Sequence, residues 1–182
     1  MRIYVVRHGE TSYNLDNKVC GLTDLPLTDR GMLQAKQLAE HITDYGINKV
    51  YVSPMLRARQ TAEPLCERLH LEAEVDERLI EQNYGSCEGM DRLASVFQEG
   101  KRKFVTAYPD GGESMFHLAQ RVYNFLDEII EKDEGENVLL VCHGGVSRMI
   151  HSYFYDMTNE EFPVFGLENC QVAKYLVIEK KS

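Results

Sequence analysis

The sequence has no tryptophan, five prolines and five cysteines in 182 residues, and these scarcities narrow what it can be. The cysteines, Cys20, Cys66, Cys87, Cys142 and Cys170, are odd in number and widely spaced, with no CxxC pair. That scatter argues against a disulfide framework or a zinc site and reads as reduced thiols, so a cytoplasmic location is expected. No apolar run approaches the length of a membrane span, and Met1–Arg7 becomes charged too soon for a signal peptide. Hence no membrane partner is expected. Basic residues are in the minority, 20 Lys and Arg against 29 Asp and Glu, for a net charge of -9. A nucleic-acid partner needs a basic face, so this balance argues against one. It does not argue against a small anionic substrate, because a few arginines in one cleft set the local field whatever the total. Also missing are an HExxH pair, an acidic EF-hand loop and a Walker glycine loop, so no metal site is indicated.

What remains is an ordinary globular composition, 43% hydrophobic and 27% charged. The length suits one core, and no repeat, low-complexity stretch or linker divides it, so residues 1–182 are expected to form a single domain. Strands are predicted at Arg2–Val6, Lys49–Val52, Leu71–Val75 (weaker), Asn137–Val141 and Gln171–Ile178. Helices are predicted from Thr28 to Tyr45, ended by Gly46, and after Ser53-Pro54, with Ser53 as cap and a break or restart near Thr61 because of Pro64. A short helix is predicted near Asp91–Glu99. Two longer ones follow Ser114 and Gly145, with apolar residues at helical spacing. Strands alternating with helices give the α/β class with a largely parallel sheet.

In open α/β sheets, sites form outside the carboxyl ends of strands. Three such ends carry chemistry: Arg7-His8-Gly9-Glu10-Thr11, Ser53-Pro54-Met55-Leu56-Arg57, and Cys142-His143-Gly144-Gly145. One histidine after a strand is ordinarily structural. Three loops bearing His or Arg, two of them His-Gly, are hard to assign to accident. Guanidinium forks match phosphate oxygens, a neutral imidazole is a nucleophile near pH 7, and positive groups stabilise a phosphoryl group in flight. These residue types point to phosphoryl transfer.

The sequence resembles the histidine phosphatase superfamily, which includes cofactor-dependent phosphoglycerate mutases. The resemblance rests on Arg7-His8-Gly9-Glu10-Thr11 with Asn14; on Gly21, Asp24 and Pro26-Leu27-Thr28 with Gly31, Gln34 and Ala35; and on Ser53-Pro54, Arg57-Ala58 and Gln60-Thr61-Ala62. Leu79-Ile80-Glu81, Tyr84-Gly85, Glu88-Gly89, Gly112-Glu113-Ser114 and His143-Gly144-Gly145 continue the order. It implies a three-layer α/β/α sandwich and no metal or organic cofactor. It implies that His8 attacks phosphorus and that Arg7, Arg57 and His143 hold the phosphoryl oxygens. Glu81 would protonate the leaving alkoxide and then activate water, and Asn14 and Gly144 would complete the substrate-binding set.

Within the resemblance, a phosphatase acting on a small phosphorylated metabolite is the expected activity. The mutases carry extra segments and a closing C-terminal tail. Here only Glu179–Ser182 follows Ile178, and the segment at about 88–111, expected as a small cap, is short. A phosphoglycerate mutase and a non-catalytic phosphate-ester-binding module are the alternatives, and a homodimer is left open. Arg92, Lys101, Arg102 and Lys103 suit either a second anionic group on the substrate or a solvated face. Cys87 replaces an aromatic residue common in the family, which bears on contacts at the rim. Glu10, Glu88, Thr11, Ser53 and Ser114 read as loop or cap residues. Arg148 and His151 are expected on the exposed side of their helix, with His41, His70 and His117 at the surface.

Overall fold

A computed structural model describes residues 1–177. Among these, five strands form one sheet in the order β3-β2-β4-β1-β5. They are β1 (Arg2–Arg7), β2 (Lys49–Val52), β3 (Ala73–Val75), β4 (Asn137–Cys142) and β5 (Val172–Leu176). The first four run parallel, and β5 pairs antiparallel with β1. β4 sits between β1 and β2, with Arg7 opposite Cys142 and Val52 opposite Val141. A central parallel strand is covered on both faces, which is why Val138–Cys142 reads as an unbroken apolar run and is wholly buried.

Successive side chains leave a strand on opposite faces, so one sheet serves two cores. On one face Ile3, Val5, Tyr51, Leu140 and Cys142 pack under α5 (Met115–Lys132) and α6 (Gly144–Phe154). On the other, Tyr4, Val6, Val50, Val52, Leu139 and Val141 pack under α2 (Asp29–His41) and α3 (Leu56–Leu69). Helices on both faces make the expected three-layer α/β/α architecture. Thr28 caps α2 and Ser114 caps α5, each accepting from a first-turn N–H. A 3-10 turn, Ile42–Tyr45, follows α2 and ends at Gly46 in the left-handed region (φ 61).

Three local expectations are corrected. Pro64 does not break α3, which runs through it, because the buried face of Ala58, Thr61, Ala62 and Leu65 outweighs one missing backbone bond. Ser53 does not cap that helix, which begins at Leu56. The Leu56 N–H is satisfied by Asp24 Oδ1 at 2.7 Å, so the cap comes from a distant loop. A single-turn α1 (Ser12–Leu15), closed by reciprocal bonds between Thr11 and Asn14, lies where no helix is predicted. The short cap-region helix is α4 (Ser95–Gly100). The predicted last strand extends to Ile178, which lies outside the described residues.

Residues 76–112 lack periodicity, and the structure supplies the reason. They are largely irregular and pack around a small aromatic cluster of Val19, Tyr84, Cys87, Phe97 and Tyr108. Tyr84 meets Phe97 and Tyr108 edge-on at 5.2 Å each. Cys87 is fully buried there, so it does not lie at a rim.

Phe125 is buried on α5 and meets Tyr51 of β2 edge-on at 5.4 Å. Phe125→Ala is expected to lower the unfolding free energy by about 3–5 kcal/mol, read from urea denaturation midpoints at unchanged slope.

Candidate active site

The ladder continues beyond the strand ends and aligns three loops. The His8 N–H donates to Cys142 O and the Ser53 N–H to Val141 O, both at 3.0 Å. His8, Ser53 and His143 therefore sit side by side along the carboxyl edge of β1, β2 and β4. Thr61 of α3 ties this edge to the helix behind it. Its Oγ1 accepts the Gly9 N–H at 2.9 Å and donates to Arg57 O at 2.7 Å.

His8 is 3% exposed, and its Nδ1 bonds Gly9 O at 2.7 Å. A carbonyl can only accept, so this bond places the proton on Nδ1 and leaves the Nε2 lone pair free. Burial pushes the imidazole well below the usual histidine range, and the Arg57 and Arg7 charges push the same way. His143 lies 5.2 Å away ring to ring and is fully buried. Its Nε2 is 2.7 Å from Ser53 Oγ, which in turn accepts the Met55 N–H at 3.4 Å. When the Ser53 hydroxyl donates to Nε2, the ring proton sits on Nδ1, which has no partner among the described residues. His143 is also held well below its usual range, first by burial and then by Arg57 and His8.

Both guanidiniums keep a buried Nε that has no partner among the described residues. Arg57 is 0% exposed. Its Nη1 and Nη2 hold Thr23 O at 2.9 Å and Gly21 O at 2.7 Å, and its Nε has no partner. Arg7 donates from Nη1 to Leu167 O at 2.7 Å, and its Nε is likewise unpartnered. Burial lowers the Arg7 pKa, helped by Arg92 and opposed by Glu81. Three buried nitrogens around one imidazole thus lack an acceptor, and an oxyanion supplies one.

Glu81 is 4% exposed. Its Oε1 accepts the Gln82 N–H at 2.8 Å and its Oε2 the Gly145 N–H at 2.9 Å. Glycine is required at 145, because a Cβ there would lie 2.5 Å from Glu81 Oε1 and 3.0 Å from the Tyr84 hydroxyl. Arg7, His8, Asn14, Glu81 and Gly144 line a cavity of about 250 Å3, which Tyr84, Arg92, Lys101, Arg148 and the segment 164–168 also border. Arg57 and His143 are not among its lining residues. Asn14 Oδ1 accepts from Thr11 and from Asn169 Nδ2 at 3.3 Å, and Asn169 Nδ2 also donates to His8 O at 2.8 Å.

Several residues differ from the sequence reading or were passed over by it. Arg148 is not exposed: it is 8% accessible and borders the cavity. Its spacing of three and four from Gly145 and Gly144 puts it on their helix face, a signal available in the sequence. His151 is half-buried, its ring stacked on Phe165 at 4.0 Å. The cause in both cases is the 162–168 segment, which folds over α6 and carries no periodicity. Arg121 donates to the carbonyls of Arg78, Ile80 and Glu81 and is paired with Glu113, so it holds the Glu81 segment. Glu88 accepts from the backbone of Gly21, Leu22 and Thr23 and from the Thr23 hydroxyl, clamping the loop that Arg57 grips. Glu10 binds Thr28 Oγ1 at 2.9 Å and pairs with Arg30. Thr11 caps α1. His41, His70 and His117 are exposed, as expected.

Comparison with known proteins places this geometry. Residues 3–181 match the family described as Histidine phosphatase superfamily (branch 1). A protein of Escherichia fergusonii named Probable phosphoglycerate mutase GpmB is 35% identical over 180 residues, covering 96% of this chain and 84% of that protein. Among solved structures, a mycobacterial glucosyl-3-phosphoglycerate phosphatase in complex with VO3 superposes with TM-score 0.84 at 28% identity, covering 95% of this chain and 91% of that one. The alpha-ribazole phosphatase of Shigella flexneri superposes with TM-score 0.84 at 27% identity, covering 99% of this chain and 92% of that one. No helix of the described residues is long and apolar enough to cross a membrane.

The two strongly depressed histidines, His8 and His143, make stability depend on pH. Below the unfolded value of about 6.5, the unfolded chain takes up protons that folded His8 and His143 refuse. Stability is complete above about pH 6.5 and falls on acidification, by up to about 1.4 kcal/mol per pH unit for each histidine. Urea titrations between about pH 7.5 and about pH 5.5 should show this slope, shallower in His8→Asn. A stability that rises on acidification over that range is the contrary result.

Proposed function

The chain belongs to the histidine phosphatase superfamily, and on that premise we propose that it hydrolyses small phosphomonoesters through a phosphohistidine on His8, using no metal or organic cofactor. The observation that carries this reading is the state of His8: a buried imidazole, with Nδ1 bonded to Gly9 O and the ring driven toward neutrality by burial and two guanidiniums. In the first step Nε2 attacks phosphorus. The P–N bond forms as the ester P–O bond breaks, and Glu81 gives its proton to the departing alkoxide. The ring gains positive charge as it accepts the phosphoryl group, and Gly9 O facing Nδ1–H offsets it. Arg7 Nε, Arg57 Nε and His143 Nδ1 are the donors assigned to the phosphoryl oxygens. Asn14 and Gly144 help seat the substrate.

In the second step Glu81, now a carboxylate, takes a proton from water. The water oxygen attacks phosphorus, the P–N bond breaks, inorganic phosphate leaves and His8 returns to its neutral form. The segment around 88–111 is assigned as a cap over this chemistry, because Arg92, Phe97 and Lys101 all border the cavity. The phosphatase branch is supported by the solved neighbours, a glucosyl-3-phosphoglycerate phosphatase and an alpha-ribazole phosphatase. The name of the E. fergusonii relative favours a mutase, which is the second reading.

Two assays separate these readings. With p-nitrophenyl phosphate and a chelator, steady release of p-nitrophenol is expected. With 3-phosphoglycerate plus 2,3-bisphosphoglycerate, isomerisation without phosphate release would transfer the assignment to a mutase. Silence in both, with phosphate still bound, would leave only a binding module. Wild-type protein quenched during turnover should carry an acid-labile, base-stable phosphoryl label that His8→Ala lacks. Glu81→Gln should lose about 100-fold or more in kcat on alkyl phosphates and much less on p-nitrophenyl phosphate. Equal losses would remove Glu81 from the acid role.

A further inference from the structure

The cavity holds more positive charge than one phosphoryl group can use. Its borders carry the cations Arg7, Lys18, Arg92, Lys101 and Arg148 against the carboxylates Glu81 and Glu168. Lys18 is paired with Asp16, and Arg7 belongs to the His8 end. Arg92, Lys101 and Arg148 have no ion-pair partner among the described residues.

Arg148 is the most telling of the three. Its side chain is more than nine-tenths buried, and the single hydrogen bond it makes among the described residues runs from Nε to Phe165 O at 3.2 Å. Its guanidinium lies 5.6 Å from the centre of the Phe162 ring. Neither terminal nitrogen has a hydrogen-bond partner among the described residues, and Arg148 borders the cavity. Burying an unpaired cation is costly unless an anion meets it. Lys101 faces the same space from the end of α4. Burial, with Arg148, Arg92 and Arg102 in that order, pulls its amine down to about 8, so Arg148 is its strongest charged neighbour.

We infer that Arg148 and Lys101 form a second anion site, on the α6 and α4 sides of the cavity, and that the substrate is a phosphomonoester bearing a further acidic group. In this arrangement Arg7, Arg57 and His143 take the phosphoryl group, and Arg148 reads the second charge. A neutral alcohol in its place leaves a buried guanidinium without a counter-ion, which discriminates by penalty as well as by attraction. The inference rests on the proposed reading of the His8 end, and it concerns a different part of the cavity.

The test compares two esters that differ only at that group, 3-phosphoglycerate and glycerol 3-phosphate. Binding is measured by calorimetry to His8→Ala protein, so that turnover does not enter. The carboxylate is expected to bind tighter by about tenfold or more. Adding Arg148→Met or Lys101→Met should collapse that ratio toward one, and Arg148→Lys should restore most of it. A purely structural role for Arg148 would weaken both esters equally and leave the ratio standing, which overturns the inference, as does a smaller ratio in the parent protein. Absence of hydrolysis by wild-type protein would overturn the phosphatase reading instead and leave the affinity ratio as it is.

Discussion

Burying guanidinium groups with no carboxylate at ion-pair distance among the described residues is the constraint on which the site depends. Arg57 is removed from water altogether, and only two loop carbonyls, Gly21 and Thr23, answer it directly. A cation so placed must be surrounded by well-held acceptors, or it would draw in water or shift the loop. Glu88 holds the same loop, accepting four donors from Gly21, Leu22 and Thr23. The loop is gripped between a cation that takes its carbonyls and an anion that takes its N–H groups. Burial first, and the guanidinium field with it, holds the two histidines neutral, and neutrality is what a nucleophilic imidazole requires.

Other parts of the fold serve the same end by different means. The sheet supplies register: β4, placed between β1 and β2, sets His8, Ser53 and His143 on one edge through ladder bonds rather than side-chain contacts. Helix α5 supplies Arg121, whose guanidinium gathers three carbonyls from residues 78–81 and fixes where the Glu81 carboxyl arrives. The start of α6 supplies the Gly145 N–H for that carboxyl and, one turn later, Arg148. One short helix therefore carries both a donor to Glu81 and a cation that borders the cavity.

The sequence by itself determined the strands, helices α2 and α5 and the convergence of His8, Arg57 and His143, because each depends on local pattern. An apolar run of β-branched residues makes a buried strand wherever it stands, and chemistry placed after such a run emerges at a sheet edge. The family followed from motifs in order. Ser53 was misassigned because Ser-Pro is a local helix-start signal, whereas its hydroxyl is claimed by His143, ninety positions away. Arg148 and His151 were misread because helical periodicity tells which face is apolar and not what will cover the polar one. Only the tertiary structure could decide those cases, and with them the roles of Arg121, Glu88, Asn169 and the 164–168 wall. Each acts through partners distant in the chain and held on irregular backbone, where neither the period of a helix nor that of a strand leaves a trace in the order of residues.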